Sequence, residues 1–192
     1  MHRVAATGLL VLLVVFRVEA QEPRRTGITM GYPESVGLVV HVSDRLAVRP
    51  ELTFSRHTSE SSFPPIGASS TNETWAIGAG VSGLFYVHRW DKLRAYLSPR
   101  YTYSRTSGTS ELSIPNVIVI EGPALQGSET KTSSHSIFGS FGAEYHFHDH
   151  FSVFGEVGLG YTHGRAEGTE GGTRLTSNSW GTRTGAGVAF YF

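Results

Sequence analysis

The chain of 192 residues carries 16 basic and 16 acidic side chains, so its formal net charge is zero and it offers no net basic face to a nucleic-acid backbone. With no cysteine it forms no disulfide, thiolate metal site or cysteine nucleophile, and it carries no thiol for lipidation. Its 23 glycines, with plentiful Ser, Thr and aromatic residues, disfavour helices and favour strands and turns, so one all-β domain is expected after processing.

The first twenty residues read as a secretory signal peptide. Arg3 supplies the positive start, residues 4–16 form an apolar run, and Val18-Glu19-Ala20 offers a cleavage site before Gln21. The run of about 13 residues is shorter than the roughly 20 that a spanning helix needs. The mature domain is therefore expected over residues 21–192.

Beyond Gln21, segments of alternating character recur, and alternation with a period of two places one set of side chains on each face of a strand. Thr26, Ile28 and Met30 supply a short first strand, turning through Tyr32-Pro33-Glu34-Ser35 with Pro33 in the second position. Val36, Leu38, Val40 and Val42 then alternate with Gly37, Val39 and His41. Leu46, Val48, Leu52 and Phe54 alternate with Ala47, Arg49, Glu51 and Thr53. Trp75, Ile77, Ala79, Val81, Gly83, Phe85 and Val87 lie opposite Ala76, Gly78, Gly80, Ser82, Leu84 and Tyr86. Leu93, Ala95, Leu97, Pro99, Tyr101 and Tyr103 oppose Arg94, Tyr96, Ser98, Arg100, Thr102 and Ser104, so charge falls on one face alone.

Three further segments follow. Ile137, Gly139, Phe141, Ala143, Tyr145 and Phe147 oppose Ser136, Phe138, Ser140, Gly142, Glu144 and His146. Phe151, Val153, Gly155, Val157, Leu159 and Tyr161 oppose Ser152, Phe154, Glu156, Gly158, Gly160 and Thr162. Trp180, Thr182, Thr184, Ala186, Val188, Phe190 and Phe192 oppose Gly181, Arg183, Gly185, Gly187, Ala189 and Tyr191.

Connections alternate in length. Short turns fall at Ser43-Asp44-Arg45, Arg89-Trp90-Asp91-Lys92 and His148-Asp149-His150, and long polar loops are expected at residues 60–73, 108–132 and 167–177. Short turns on one side and long loops on the other describe an antiparallel up-and-down transmembrane β-barrel of about eight strands. Aromatic residues bracket three segments at a shared spacing of ten, Trp75 to Phe85, Phe151 to Tyr161 and Trp180 to Phe190. Ten residues in a strand tilted by about 40° project to roughly 25 Å, the height of a barrel's apolar band. Amphipathic rings prefer its two rims, where Tyr101 and Tyr103 join the outer girdle and Phe147 and Phe192 the inner one.

The other face carries Arg49, Glu51, Arg94, Arg100, Glu144, Glu156 and Arg183, which would converge inside the barrel. Charges removed from bulk water must be paired, and an eight-stranded barrel is just wide enough to be filled by side chains. A structural lumen network is therefore expected in preference to a catalytic or conducting constellation.

Together these residues resemble the small outer-membrane β-barrel family that includes the OmpX and OmpA transmembrane domains. The resemblance covers residues 26–192. Its most specific element is Val188-Ala189-Phe190-Tyr191-Phe192, whose alternating Val188, Phe190 and Phe192 resemble the signal read by the barrel-assembly machinery. Glu144-Tyr145-His146-Phe147 and the following Phe151-Ser152-Val153-Phe154-Gly155-Glu156 resemble a hairpin of the same family. The resemblance implies the bacterial outer membrane, lipid as surroundings, no cofactor, and a non-enzymatic role in envelope integrity or surface interaction through the loops.

Sharper readings are weaker. His146, His148, Asp149 and His150 crowd metal-ligand types into a few residues, but a short turn lacks a supporting shell, and a solvated turn is expected. A lipid-modifying barrel enzyme is the enzymatic alternative, yet the adjacent His135 and Ser136 face opposite sides of a strand, and Glu144 points inward. His57 has no Ser and acid partners at a readable spacing. A small pore is a third class, disfavoured by the charged lumen. Ile114-Pro115-Asn116-Val117-Ile118-Val119-Ile120 is an apolar run in a polar loop, read as a strand extension or loop packing before an exposed pairing edge.

Overall fold

A computed structural model describes residues 26–33, 35–63, 68–113, 128–168 and 174–192. The segment expected to be a signal peptide, residues 1–20, and the apolar run from Ile114 to Ile120 lie outside the described residues. Eight strands follow in order: β1 Thr26–Tyr32, β2 Ser35–Ser43, β3 Leu46–Phe63, β4 Ala68–Arg89, β5 Leu93–Ser113, β6 Ser128–His148, β7 Phe151–Gly168 and β8 Arg174–Tyr191. Each pairs antiparallel with the next, and β1 pairs with β8 from Gly27↔Tyr191 to Tyr32↔Ala186, closing the barrel. Closure satisfies the backbone without an open edge, the condition a sheet must meet in lipid.

The pleat sorts the two faces as the alternation predicts. Leu38, Leu52, Ile77, Leu97, Phe141, Val157 and Leu159 are exposed on the outer wall, while Val39, Ala47, Leu84, Tyr96 and Ala189 are buried within. The short first strand forms, in register Ile28↔Leu38 with β2. Glycine serves this packing where a ring needs the space. A Cβ on Gly142 would stand 2.7 Å from Tyr96 Oη, and one on Gly187 would stand 2.5 Å from Phe154 Cζ.

The expected long loops are corrected. The described residues within 60–73, 108–132 and 167–177 continue the strands as paired ladders, with registers such as Ser61↔Ser70, Thr106↔Thr132 and Glu167↔Arg174. Polarity suggests loops, but Thr is a good strand residue, Thr and Ser can hydrogen-bond across paired strands, and a two-sided polar ladder is stable when both neighbours continue with it. Strands β3 to β8 therefore run to 18–22 residues, well beyond the apolar band. At the opposite end, the turns at Asp44-Arg45, Trp90-Asp91-Lys92 and Asp149-His150 are tight. Three register shifts lie beside them, between His41 and Ser43, Tyr86 and His88, and His146 and His148.

Candidate functional site

The lumen is filled in two layers. In the central layer β3 supplies Arg49 and Glu51, β5 supplies Arg100, and β7 supplies Glu156. Arg49 Nη2 donates to Glu156 Oε1 at 2.5 Å, and its Nε lies 3.1 Å from Glu51 Oε1 as an ion pair without hydrogen-bond alignment. Glu51 also pairs with Arg100, whose Nε donates to Ser82 Oγ at 2.8 Å. Tyr96 Oη donates to Glu156 Oε1 at 2.9 Å, and Phe154 lies under the Arg49 guanidinium at 4.9 Å. Two cations and two carboxylates thus neutralise one another where Arg49 is only 1% exposed, the arrangement that removal from water demands.

The second layer, nearer the short turns, is built around Glu144. Its Oε1 accepts from Ser152 Oγ at 2.6 Å and Tyr191 Oη at 2.5 Å, and its Oε2 accepts from Tyr86 Oη at 3.1 Å. His146 Nε2 stands 3.5 Å away, its ring stacked with Tyr191. Glu144 is thus held mainly by hydroxyls, and the tyrosines that hold it were legible as inward-facing residues but not as its partners. Between the layers the cavity is about 10 Å³, room for about one water.

Of the seven charges expected in the lumen, the structure brings Arg49, Glu51, Arg100 and Glu156 together and holds Glu144 apart. Arg94 approaches the Tyr86 ring at 6.0 Å, and Arg183 lies 5.7 Å from the Phe138 ring.

The girdle residues stand on the outer wall. At the short-turn rim Phe147, Phe151 and Phe190 form a run, with centroids 5.8 Å and 5.1 Å apart, and Phe85 and Phe192 are exposed beside the same rim. At the far rim Tyr161 packs on Trp180 at 5.4 Å, and Trp75, Tyr101 and Tyr103 are exposed. Of the terminal motif, Val188 pairs with Met30 and Phe190 with Ile28, and Phe192 N donates to Thr26 O at 3.0 Å.

The far rim also carries polar groups that alternation alone left unassigned. His135 on the outer face shares a 2.7 Å hydrogen bond with Tyr101 Oη and packs on Tyr103, while Ser136 points inward to Thr162 Oγ1 at 2.8 Å. Across the ladder His163 Nδ1 and Tyr161 Oη both bond to Asn178 Oδ1 at 2.7 Å. His57 is exposed in the β3 extension opposite Thr74. His146 turns into the lumen while His148 and His150 stack at the turn, and no group of three metal-ligand side chains converges among the described residues.

A scan against protein-family models finds no matching model, and a search of curated proteins finds no matching sequence. Solved structures do match. A major outer membrane protein of Thermus thermophilus superposes with TM-score 0.56 at 12% identity, over 89% of this chain and 100% of that one. CarO of Acinetobacter baumannii gives TM-score 0.46 at 13% identity, over 89% and 98%. Ail, the attachment invasion locus protein of Yersinia pestis, gives 0.41 at 10%, over 88% and 94%. The Thermus likeness shows the fold: this chain is built as a closed barrel of outer-membrane type.

Proposed function

We propose that this chain is a non-enzymatic outer-membrane barrel that is sealed through its lumen and presents its extended hairpins at the cell surface, acting in envelope integrity or surface interaction. The observation that carries the reading is the contrast between the two ends. The lumen is closed by the Arg49, Glu51, Arg100 and Glu156 cluster over the Glu144 cradle. Strands β3 to β8 meanwhile continue past the aromatic rim as polar ladders. A filled barrel passes no solute, so its working surface is the part that leaves the membrane. Lipid surrounds the apolar wall, and the barrel-assembly machinery reads Val188, Phe190 and Phe192 during biogenesis.

Single-channel recording tests the seal. The refolded barrel in planar bilayers is expected to be silent, and a stable, charge-selective conductance from the unmodified chain would overturn the reading in favour of a small pore. Incubation with outer-membrane lipids is expected to leave their acyl chains and phosphates intact. Released fatty acid would instead favour the lipid-modifying alternative.

A further inference from the structure

The outer wall just beyond the far aromatic rim carries a pair of arginines that the lumen network and girdles do not use. Arg105 on β5 and Arg165 on β7 both lie opposite Ser133 of the intervening β6, in one row of the ladder. Strands about 4.8 Å apart place their Cα atoms roughly 10 Å from each other, so two long guanidinium side chains can meet over the small Ser133. All three share the outward parity of Tyr103, His135 and Tyr161, and both arginines are exposed.

Neighbouring outer-wall cations are already committed. Arg56 pairs with Glu73 at 2.8 Å, Lys131 with Glu129 at 2.8 Å and Arg174 with Glu167 at 3.3 Å. The hydrogen bond and charge of Lys131 also hold the Glu129 carboxyl below its ordinary value. Among the described residues, Arg105 and Arg165 alone in this collar have no carboxylate within ion-pair distance.

Height identifies what they would meet. Arg105 lies two residues beyond Tyr103, and Arg165 four beyond Tyr161, which at the tilt of a barrel strand is roughly 5–10 Å outside the aromatic belt. The belt marks the boundary of the hydrocarbon, and the layer of that thickness outside it holds the headgroups. A bidentate guanidinium matches a phosphate, and two flanking a hydroxyl match it better.

We propose that Arg105 and Arg165, with Ser133 between them, form a binding site for the phosphorylated headgroup of an outer-leaflet lipid. The site rests on the membrane reading above, and it gives the barrel a lipid held at a defined place on its wall. The His135 and His163 pair and Asn178 lie one step below, at the level of the headgroup's sugar or glycerol oxygens.

Native mass spectrometry of the refolded barrel, titrated with lipid A, dephosphorylated lipid A or inorganic phosphate, tests this. Retention of lipid A but not of its dephosphorylated form is expected, weakened about tenfold or more by Arg105→Gln with Arg165→Gln and left unchanged by Arg174→Gln. Equal retention by the unmodified and doubly substituted barrels would overturn the site. Binding of inorganic phosphate as tightly as lipid A would also overturn it, as a general anion site. Insertion into neutral phosphatidylcholine vesicles, followed by heat-modifiable gel migration, tests the membrane reading separately. A barrel that inserts there but does not discriminate the phosphorylated lipid leaves that reading intact and removes this one.

Discussion

Arg49 and Glu156 stand 107 residues apart in the chain and meet at 2.5 Å across the lumen from β3 to β7, with almost no solvent between them. Removing one partner of such a pair leaves a buried charge. Glu156→Ala is therefore expected to destabilise the barrel by about 3 kcal/mol or more, whereas Arg49→Met combined with Glu156→Leu, leaving Glu51 with Arg100, is expected to cost less than the single change. Urea unfolding in vesicles compares the two. A single variant as stable as the unmodified barrel would show that water already reaches the pair.

How tightly the lumen is filled can be read at Gly142. Tyr96 occupies the space over it, and its hydroxyl is tied to Glu156. Gly142→Ala is expected to push the ring away, to break that hydrogen bond and to cost about 1–3 kcal/mol, the usual penalty for overpacking. The same substitution at Gly139, where nothing lies within 4 Å of the added carbon, is expected to be nearly neutral. Equal losses at both sites would mean that strand conformation, and not the fit of Tyr96, sets the cost.

The architecture was legible because the alternation is carried by large outward side chains such as Ile77, Leu97 and Phe141, set against inward Gly and Ser. The charged set was legible by parity, since Arg49, Glu51, Arg100 and Glu156 all share the inward phase. Parity gives a face but not a partner. Neighbours across the lumen depend on strand stagger, so the division into an ionic cluster and a hydroxyl-held Glu144 could not be read from one strand at a time. The extensions were missed for a different reason. Residues such as Ser61, Ser70, Thr106 and Thr132 are polar on both faces, and composition then resembles a loop although the backbone is a paired ladder. Arg105, Arg165 and Ser133 lay between the alternating segments and those expected loops, so the pairing of both arginines with Ser133 was visible only in the register.

The absence of cysteine makes topology directly measurable. Asn72 is exposed in the β4 extension opposite Ser59, and Asp91 is exposed in the tight turn between β4 and β5. If the extensions face outward, Asn72→Cys is expected to react with a membrane-impermeant maleimide on intact cells, and Asp91→Cys only after the outer membrane is opened. Reaction at Asp91→Cys alone would invert the orientation. Equal reaction at both sites in intact cells would place neither end behind a membrane.

The seam between β1 and β8 carries the last test. Strand β1 has only 7 residues, so the closing contact is short, and Phe192 extends it by donating its backbone N–H to Thr26 O at 3.0 Å. Phe192→Ala keeps that hydrogen bond and removes one ring from the girdle, so it is expected to slow assembly in cells while leaving the folded barrel's urea midpoint nearly unchanged. Deleting residues 188–192 goes further. It removes the pairs Met30↔Val188, Ile28↔Phe190 and Gly27↔Tyr191, and with Tyr191 it takes one hydroxyl from Glu144. That variant is expected to lose both assembly and stability, because the barrel regains an open edge and the cradle loses a donor. Assembly kinetics in cells and unfolding in vesicles, measured on both variants, separate the two contributions. If Phe192→Ala assembles at the unmodified rate while the deletion fails, the terminal ring is not part of the assembly signal, and the seam alone accounts for the ending.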